Sequence, residues 1–335
     1  MEFIAIDKTG VELGLLRNLR GMDVDIGGSN DFVLTFDASA WDGVLSKAFY
    51  WYAYGPGMGE VGGQLLSIKS STADGQLQAA GFTWRGMLQK KILEPPPGEN
   101  YLIVSGEANT VLRQLIESRF DGLFSVPKEN SGIVISSHKF SRYENLLDGI
   151  VKMLAIYKAR LEIEYHPGVF KGHTYTPGVV QIRTVPIIDY STEIEFSQDG
   201  RIDFIAQDSH MGINHLICLG QGDLAARQVV HLYMDKEGKI SREQTQFGVD
   251  ERAEAYDYSN AESEEDLIKN GMERLRDRGD FKRLKINLSE IPAALGDIVG
   301  GQEQITGITL KKQITKIIFK VDKQGKLTIT HKVGD

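Results

Sequence analysis

Residues 81–119 have the sequence GFTWRGMLQKKILEPPPGENYLIVSGEANTVLRQLIESR, and this stretch decides how the chain is divided. A strand-like segment, Gly81–Trp84, leads to the consecutive prolines Pro95–Pro97, which cannot lie inside a helix or a central strand. After them, Tyr101–Val104 predicts a strand, and Ser105 is predicted to cap the helix that follows. The stretch has no nucleophile–base pair, metal-ligand spacing or phosphate loop. It therefore predicts a part that works through its shape and its partners.

Composition indicates a folded protein with several subdomains. The chain has 335 residues, of which 36 are glycine, and short apolar runs between glycines favour hairpins over long helices. No apolar run approaches the roughly 20 residues of a membrane span, and the N-terminus predicts no secretory signal. Cys218 is the only cysteine, so an internal disulfide is excluded and folding in a reducing cytoplasm is expected. Its apolar neighbours predict a small buried side chain.

Charge is distributed unevenly along the chain. The net charge is -8, and residues 241–280 contribute 12 acidic and 6 basic side chains, whereas residues 281–335 contribute 5 acidic and 10 basic ones. A protein that recognises nucleic acid is usually basic, so this balance argues against such a function for the chain as a whole.

Alternating apolar residues between glycine, aspartate and serine clusters predict strands in both halves of the chain. Besides the two segments above, the predicted strands are Asp31–Phe36, Leu65–Ile68, Leu161–Tyr165, Ile194–Phe196, Ile202–Ile205, Val229–Tyr233, Ile317–Val321 and Lys326–Val333. The last two flank Asp322–Gly325, which predicts a hairpin turn.

Two further helices are predicted from their start signals. Ser141 and Glu144 form a capping-box pattern ahead of an amphipathic stripe. Ser263 precedes three carboxylates in the first turn of a second helix, where the helix dipole favours them, and Gly279 is predicted to end that helix.

These elements predict a β-rich α+β protein of four parts. We expect a first β domain at residues 1–94, an α+β insertion at 95–166, a second β-rich domain with an acidic helix at 167–284, and a small antiparallel β domain at 285–335.

Candidate chemical motifs have simpler structural explanations. Gly220–Ala225 resembles a dinucleotide loop, but a strand pattern follows it instead of a helix, which favours a tight turn. His210 and His215 are five residues apart, a spacing that fits no common zinc site, and Asp208–His210 are too close in sequence to form a triad. Glu162 and Glu164 lie on one face of a predicted strand; a solvated charged face explains them better than a pair that flanks a glycosidic bond. We therefore predict no catalytic residue, metal or cofactor.

The aromatic run at residues 49–54 is the candidate binding surface. Alternation places Tyr50, Tyr52 and Tyr54 on one strand face, and Phe49 and Trp51 on the other. Tyr and Trp carry much of the binding energy at protein interfaces, so Tyr50, Trp51, Tyr52 and Tyr54 are the candidate protein-interface residues. Burial in the core and a sugar-stacking platform are the alternatives.

Several motifs together resemble those of one family, the tail-hub (baseplate or tail-tip) proteins of siphovirus-type phages and prophages. That family is distantly similar to the trimeric hub of contractile-tail baseplates. The resemblance spans nearly the whole chain and rests on Thr83–Met87, Lys91–Pro96, Tyr101–Gly106, Arg113–Ile116, Asn214–Gly222, Arg227–Tyr233 and Leu295–Val299.

The resemblance implies a non-enzymatic structural protein of the virion tail, made in the host cytoplasm. It implies two tube-type β-barrel domains, from residues 1–94 and 167–284, and a homotrimer that connects the tail tube to the tip. The implied partners are further copies of the chain and the tail-tube, distal-tail and tip or spike proteins, with DNA only in transit and no membrane anchor. A tail-associated cell-wall hydrolase and a carbohydrate-binding module are the alternative functions; we expect no hydrolase extension after the final hairpin.

Overall fold

The computed structural model describes residues 1–41, 43–167, 169–170, 173–174, 178–191, 202–209, 211–279, 281–288, 293–302 and 309–334. Its α-helices are α1 (Trp84–Gln89), α2 (Ala108–Ile116), α3 (Leu146–Ile156) and α4 (Glu264–Arg278).

Strands dominate the described part of the chain. Those in the first half are β1 (Glu2–Ile6), β2 (Glu12–Leu15), β3 (Leu19–Ile26), β4 (Asp31–Asp37), β5 (Tyr50–Tyr54), β6 (Gly62–Ser71), β7 (Gln76–Thr83), β8 (Ile103–Glu107), β9 (Phe124–Ser125), β10 (Val134–Lys139) and β11 (Ala159–His166). Those in the second half are β12 (Val169–Phe170), β13 (His173–Thr174), β14 (Val179–Pro186), β15 (Ile202–Ser209), β16 (His215–Leu219), β17 (Val229–Met234), β18 (Ile240–Ser241), β19 (Ala253–Asp257), β20 (Phe281–Leu288), β21 (Ile298–Gln302), β22 (Thr309–Val321) and β23 (Leu327–Val333).

The β-rich α+β class predicted from the sequence is confirmed. The predicted strands coincide with or overlap β4, β6, β7, β8, β11, β15, β17, β22 and β23. Three of the predicted ends lie outside these strands: Trp84 begins α1, β8 begins at Ile103 instead of Tyr101, and β23 begins at Leu327 instead of Lys326. The predicted strand at Ile194–Phe196 lies outside the described residues.

The chain forms two compact units. Unit 1 contains residues 1–203, 286–301 and 311–335, and unit 2 contains residues 204–285 and 302–310. The division into four parts at residues 94, 166 and 284 remains a prediction.

Unit 1 is built on a long antiparallel sheet. Its strands run in the order β23–β22–β3–β4–β7–β6–β5–β1–β2, and β21 pairs with β22. Asp322 and Lys326 close the predicted hairpin between β22 and β23, and Gly325 there has a φ of 79°. Two smaller sheets belong to the same unit: β10–β8, and β11–β14–β9, in which β9 pairs parallel to β14.

The core of unit 1 lies where α1, α2 and α3 pack among β5, β11 and β14. It contains fully buried residues of all three helices, such as Trp84, Leu112 and Ile150, and the inward face of β11. At 25 cal/mol per Å² of apolar surface removed from water, this burial is the main stabilising contribution.

Two helices begin at other residues than predicted. Ser105 lies within β8, and the cap of α2 is Glu107, whose carboxylate accepts from the amides of Asn109 and Thr110 at 3.0 and 2.8 Å. Ser141 does not start α3 either. Its cap is Asn145, which accepts from the amide of Asp148 at 2.9 Å.

Unit 2 contains a four-stranded sheet in the order β18–β17–β16–β19, with β19 parallel to β16. Helix α4 packs on it through Leu267 and Leu275. Both predicted ends of α4 are confirmed: Ser263 accepts from the amide of Asp266 at 3.1 Å, and Gly279 is the C-cap. Cys218 is fully buried in this core, as predicted, and burial raises the pKa of its thiol to about 11.

Candidate functional site

The aromatic run forms β5, a strand between β1 and β6 in the sheet of unit 1. Both faces of this strand are covered at its centre. Trp51 is fully buried and meets Phe32 edge-on at 5.0 Å, whereas Tyr52 on the opposite face packs against Tyr165 at 4.4 Å. The two-faced alternation of the sequence is therefore present in the structure.

Of the four candidate interface residues, Tyr54 is the exposed one, at 59%. Trp51 and Tyr52 are buried within the chain itself, so their ring faces are not available to a partner or to a sugar. Tyr52 also donates a hydrogen bond from its hydroxyl to Glu12 at 2.6 Å, and burial followed by this contact raises its pKa. An interface at this strand remains a prediction that rests on Tyr54 and the half-buried Tyr50.

Tyr50 lines a groove of unit 1 with a volume of about 790 Å³, which we call the basic groove. Its lining comes from the β1–β2 turn, strands β5, β6 and β7, the C-terminal end of α1, the loop after α2 and the start of β14. The charged side chains that line it are Lys8, Lys90, Lys91, Arg119 and Asp121.

Aromatic rings position the lysines of the basic groove. The ammonium groups of Lys8, Lys90 and Lys91 lie 5.9, 4.5 and 5.2 Å from the ring centroids of Phe49, Phe82 and Phe120, respectively. A cation held over an aromatic face is attracted by the ring quadrupole, which favours one orientation of a flexible side chain.

Two other contacts shape the same groove. Arg119 donates to the carbonyls of Leu115 and Ile92 at 2.8 and 3.1 Å, which fixes its guanidinium at the wall. Burial, and then the nearby charge of Asp121, raises the pKa of Tyr50. Its phenol therefore stays neutral at physiological pH and is a hydrogen-bond donor in a groove dominated by cations.

The acidic residues of β11 lie in a second, charged cavity of unit 1 with a volume of about 360 Å³. Glu162 pairs with Arg183, and Glu164 lies 3.2 Å from His166. A neighbouring pair buries Arg85 against Glu60, and the guanidinium of Arg85 also donates to the carbonyl of Leu161 at 3.1 Å. Glu162 and Glu164 are thus paired residues of a charged strand face, which is the interpretation that the sequence favoured for them.

Unit 2 contains a histidine pair that sequence spacing did not indicate. His215 is buried, with Nδ1 2.6 Å from Glu251 and Nε2 2.8 Å from Nδ1 of His231. His231 and Glu251 are 16 and 36 positions away from His215 in the sequence. Only the pairing of β16 with β17 and with β19 brings the three residues together.

The metal-like and nucleotide-like sequence motifs fall between residues 208 and 225. Over the ranges that the structure describes, no group of three or more His, Cys, Asp or Glu side chains is placed to hold a metal ion. His210, which belongs to both the His210/His215 spacing and the Asp208–His210 run, lies outside those ranges. Gly220–Ala225 forms a turn in which Gly222 has a φ of 95°; a short 3-10 helix at Leu224–Ala226 follows, and then β17, so the strand expected after the segment is present.

None of the described helices is both long and apolar enough to cross a membrane.

Comparison with known proteins gives structural neighbours only. No protein-family model matches the sequence, and no curated protein matches it significantly. Three solved structures resemble the chain along its whole length at low identity. The tail protein from Neisseria meningitidis MC58 is 12% identical with a TM-score of 0.49, and the match covers 100% of this chain and 97% of that one.

The second is the prophage MuSo2 43 kDa tail protein from Shewanella oneidensis, at 11% identity and a TM-score of 0.49, covering 99% and 98% of the two chains. The third is the prophage tail protein gp18 from Listeria monocytogenes EGD-e, at 12% identity and a TM-score of 0.48, covering 100% and 95%. All three neighbours are described as tail proteins, and two of them come from prophages.

Proposed function

We propose that this chain is a non-enzymatic structural subunit of a phage-type tail, a homotrimeric hub that connects the tail tube to the tip. The observation that carries the proposal is the ordered set of tail-hub motifs over nearly the whole sequence. Their residues hold the architecture together instead of forming a reactive centre.

Two of these motifs illustrate the point. In Thr83–Met87, Thr83 caps α1, Trp84 is fully buried, and Arg85 pairs with Glu60. In Leu295–Val299, the fully buried Asp297 accepts from Arg160 at 2.7 Å and from the amide of Ile188 at 2.9 Å. A likeness carried by such residues supports a shared architecture, and with it a shared assembly role.

The proposal includes two tube-forming domains in each copy, from residues 1–94 and 167–284, so that three copies present six similar domains to the tail tube. The partners are the tail-tube, distal-tail and tip or spike proteins of the same particle. The net charge of -8 suits a conduit for DNA, because an acidic wall repels phosphates and releases no counterions on contact.

Native mass spectrometry of the full chain, alone and with its neighbouring tail proteins, tests the proposal. We expect a trimer mass at micromolar concentration or on addition of a neighbour. A monomer that persists under both conditions contradicts the hub. A particle structure in which the channel wall of this protein consists of lysines and arginines contradicts the conduit.

A further inference from the structure

The basic groove carries an opposite charge to the rest of the protein. Four cations and one carboxylate line it, in a chain whose net charge is -8. Copies of such a chain repel one another at long range. A contact between copies therefore gains most when it places a basic surface of one copy against an acidic surface of the other.

The cations of the groove are available to a partner. Within the described ranges, no carboxylate forms an ion pair with Lys8, Lys90 or Lys91; their neighbours are aromatic rings. Lys8 and Lys90 are exposed. Their ordering over the rings lowers the side-chain entropy that is lost on binding.

The same chain contains an acidic surface. The start of α4 presents exposed carboxylates at Glu262, Glu264 and Glu265, of which Glu264 also pairs with Arg242. Leu267 anchors the helix in the core of unit 2. We call these three carboxylates the acidic helix start. A groove of about 790 Å³ is large enough to accept several such side chains.

We propose that the basic groove of one copy binds the acidic helix start of a second copy. This inference rests on the proposed oligomeric hub and names the contact that joins its subunits. Because the two surfaces differ, the contact is heterologous: each copy offers its groove to one neighbour and its helix start to another. Repetition of a heterologous contact gives a closed ring when the rotation between copies closes.

The test reverses the charge of each surface separately and then of both together, which restores opposite charges across the contact. The groove variant is Lys90→Glu with Lys91→Glu, the helix variant is Glu264→Lys with Glu265→Lys, and the restored variant combines all four substitutions. Lys69→Glu with Lys323→Glu is the matched control, since it makes the same charge change at exposed lysines outside the groove. Sedimentation velocity over a concentration series gives the oligomer fraction, and circular dichroism checks folding.

We expect the groove and helix variants each to weaken assembly about tenfold or more, because like charges then face each other. The restored variant returns towards the wild-type value, and the control does not change. If the groove variant unfolds, Lys8→Glu in the exposed β1–β2 turn replaces it.

Other outcomes overturn the inference. Unchanged assembly of both variants, or a restored variant no better than the groove variant, contradicts the contact while leaving the hub intact. A groove variant that assembles normally but loses another tail protein identifies that protein as the occupant and contradicts this inference. A wild-type chain that stays monomeric even with its tail neighbours contradicts both the contact and the hub.

Discussion

Tyr165 lies flat against Trp84, with ring centroids 5.7 Å apart and planes inclined by 12°. This stack joins the first residue of α1 to β11, two elements that are about 80 residues apart in sequence. Tyr52 also packs against Tyr165, with ring centroids 4.4 Å apart. The core of unit 1 is therefore organised around contacts between distant aromatic residues.

Removal of this stack is predicted to destabilise the protein strongly. Tyr165→Ala deletes a buried ring that packs on two others and is expected to lower the free energy of unfolding by about 3–5 kcal/mol. Urea denaturation followed by tryptophan fluorescence measures this change. Tyr101→Ala, at a tyrosine that is 41% exposed, is the control and should cost ~1 kcal/mol or less.

The Arg85–Glu60 pair predicts a pH-dependent defect. Arg85→Met leaves Glu60 without its cation, and breaking a buried pair costs about 3–5 kcal/mol. Burial already raises the pKa of Glu60, and loss of Arg85 raises it further. A carboxyl whose pKa is raised by folding contributes stability below its unfolded pKa and loses it as pH rises through the folded value.

The Arg85→Met defect should therefore be smaller near pH 4 than at pH 7. Addition of Glu60→Gln removes the buried charge and should recover part of the loss at pH 7. In the exposed pair Arg20–Asp37, Arg20→Met is the control and should leave stability nearly unchanged. A pH-independent defect would mean that Arg85 acts through packing alone.

The stabilisation of α2 by Glu107 is predicted to have the opposite pH dependence, with loss at low pH. Burial opposes its ionisation, but bonds from the hydroxyl and amide of Ser131 and the amides of Asn109 and Thr110 outweigh it and lower its pKa to about 2. Its stabilisation is complete above the unfolded pKa of 4.5 and is lost as pH falls towards 2.

Glu107→Gln is therefore expected to cost about 1–2 kcal/mol at pH 7, as for loss of a helix cap, and much less near pH 2. Urea titrations at several pH values measure the difference from wild type. Glu99→Gln, at an exposed residue of the preceding loop, should leave stability unchanged at every pH. An equal cost for Glu107→Gln at all pH values would contradict the role of its charge.

At Gly271, substitution by alanine is predicted to destabilise the protein, contrary to the usual effect inside a helix. Alanine in place of glycine inside a helix usually stabilises by about 1 kcal/mol. Here an added Cβ would lie 2.5 Å from Sγ of Cys218 and 2.8 Å from Cδ1 of Leu232. Gly271→Ala is therefore expected to lower the stability of unit 2 by about 1–3 kcal/mol.

A double-mutant cycle identifies the cause of the Gly271→Ala defect. Cys218→Ala removes the sulfur, so the combined variant should lose less stability than the sum of the two single variants. Lys269→Ala, on the exposed side of α4, is the propensity control. Additive effects would exclude the clash with Cys218 as the source of the defect.

The sequence predicted that helices follow Pro97 and Ser141, but not where they begin. Ser141 and Glu144 satisfy the capping pattern, yet the amide of Leu93 bonds to the carbonyl of Glu144, and the amide of Leu146 bonds to Lys91. This bridge holds the chain extended until Asn145. Likewise, Ser105 stays in β8 because that strand pairs with β10. In both cases, contacts with distant segments decide where the helix begins, and the local capping pattern does not.

The same reason explains which sites the sequence did not reveal. The basic groove draws its cations from three separate segments, so no basic run marks it. His215 and His231 meet only through strand register. The alternation of Tyr52 and Trp51 was visible, whereas the coverage of both faces depends on Trp84, Tyr165 and Phe32 from elsewhere in the chain.

The pairing of β22 with β3 has a consequence for biosynthesis. Strand β3 ends at Ile26, and its neighbour Ile317 is made roughly 290 residues later. At a synthesis rate of about 5–20 residues per second, the edge of β3 stays unpaired for roughly 15–60 s until β22 is made. Asp23 and Asp25 lie on that edge, where charges discourage pairing with other nascent chains until Lys320 and Lys316 arrive to neutralise them.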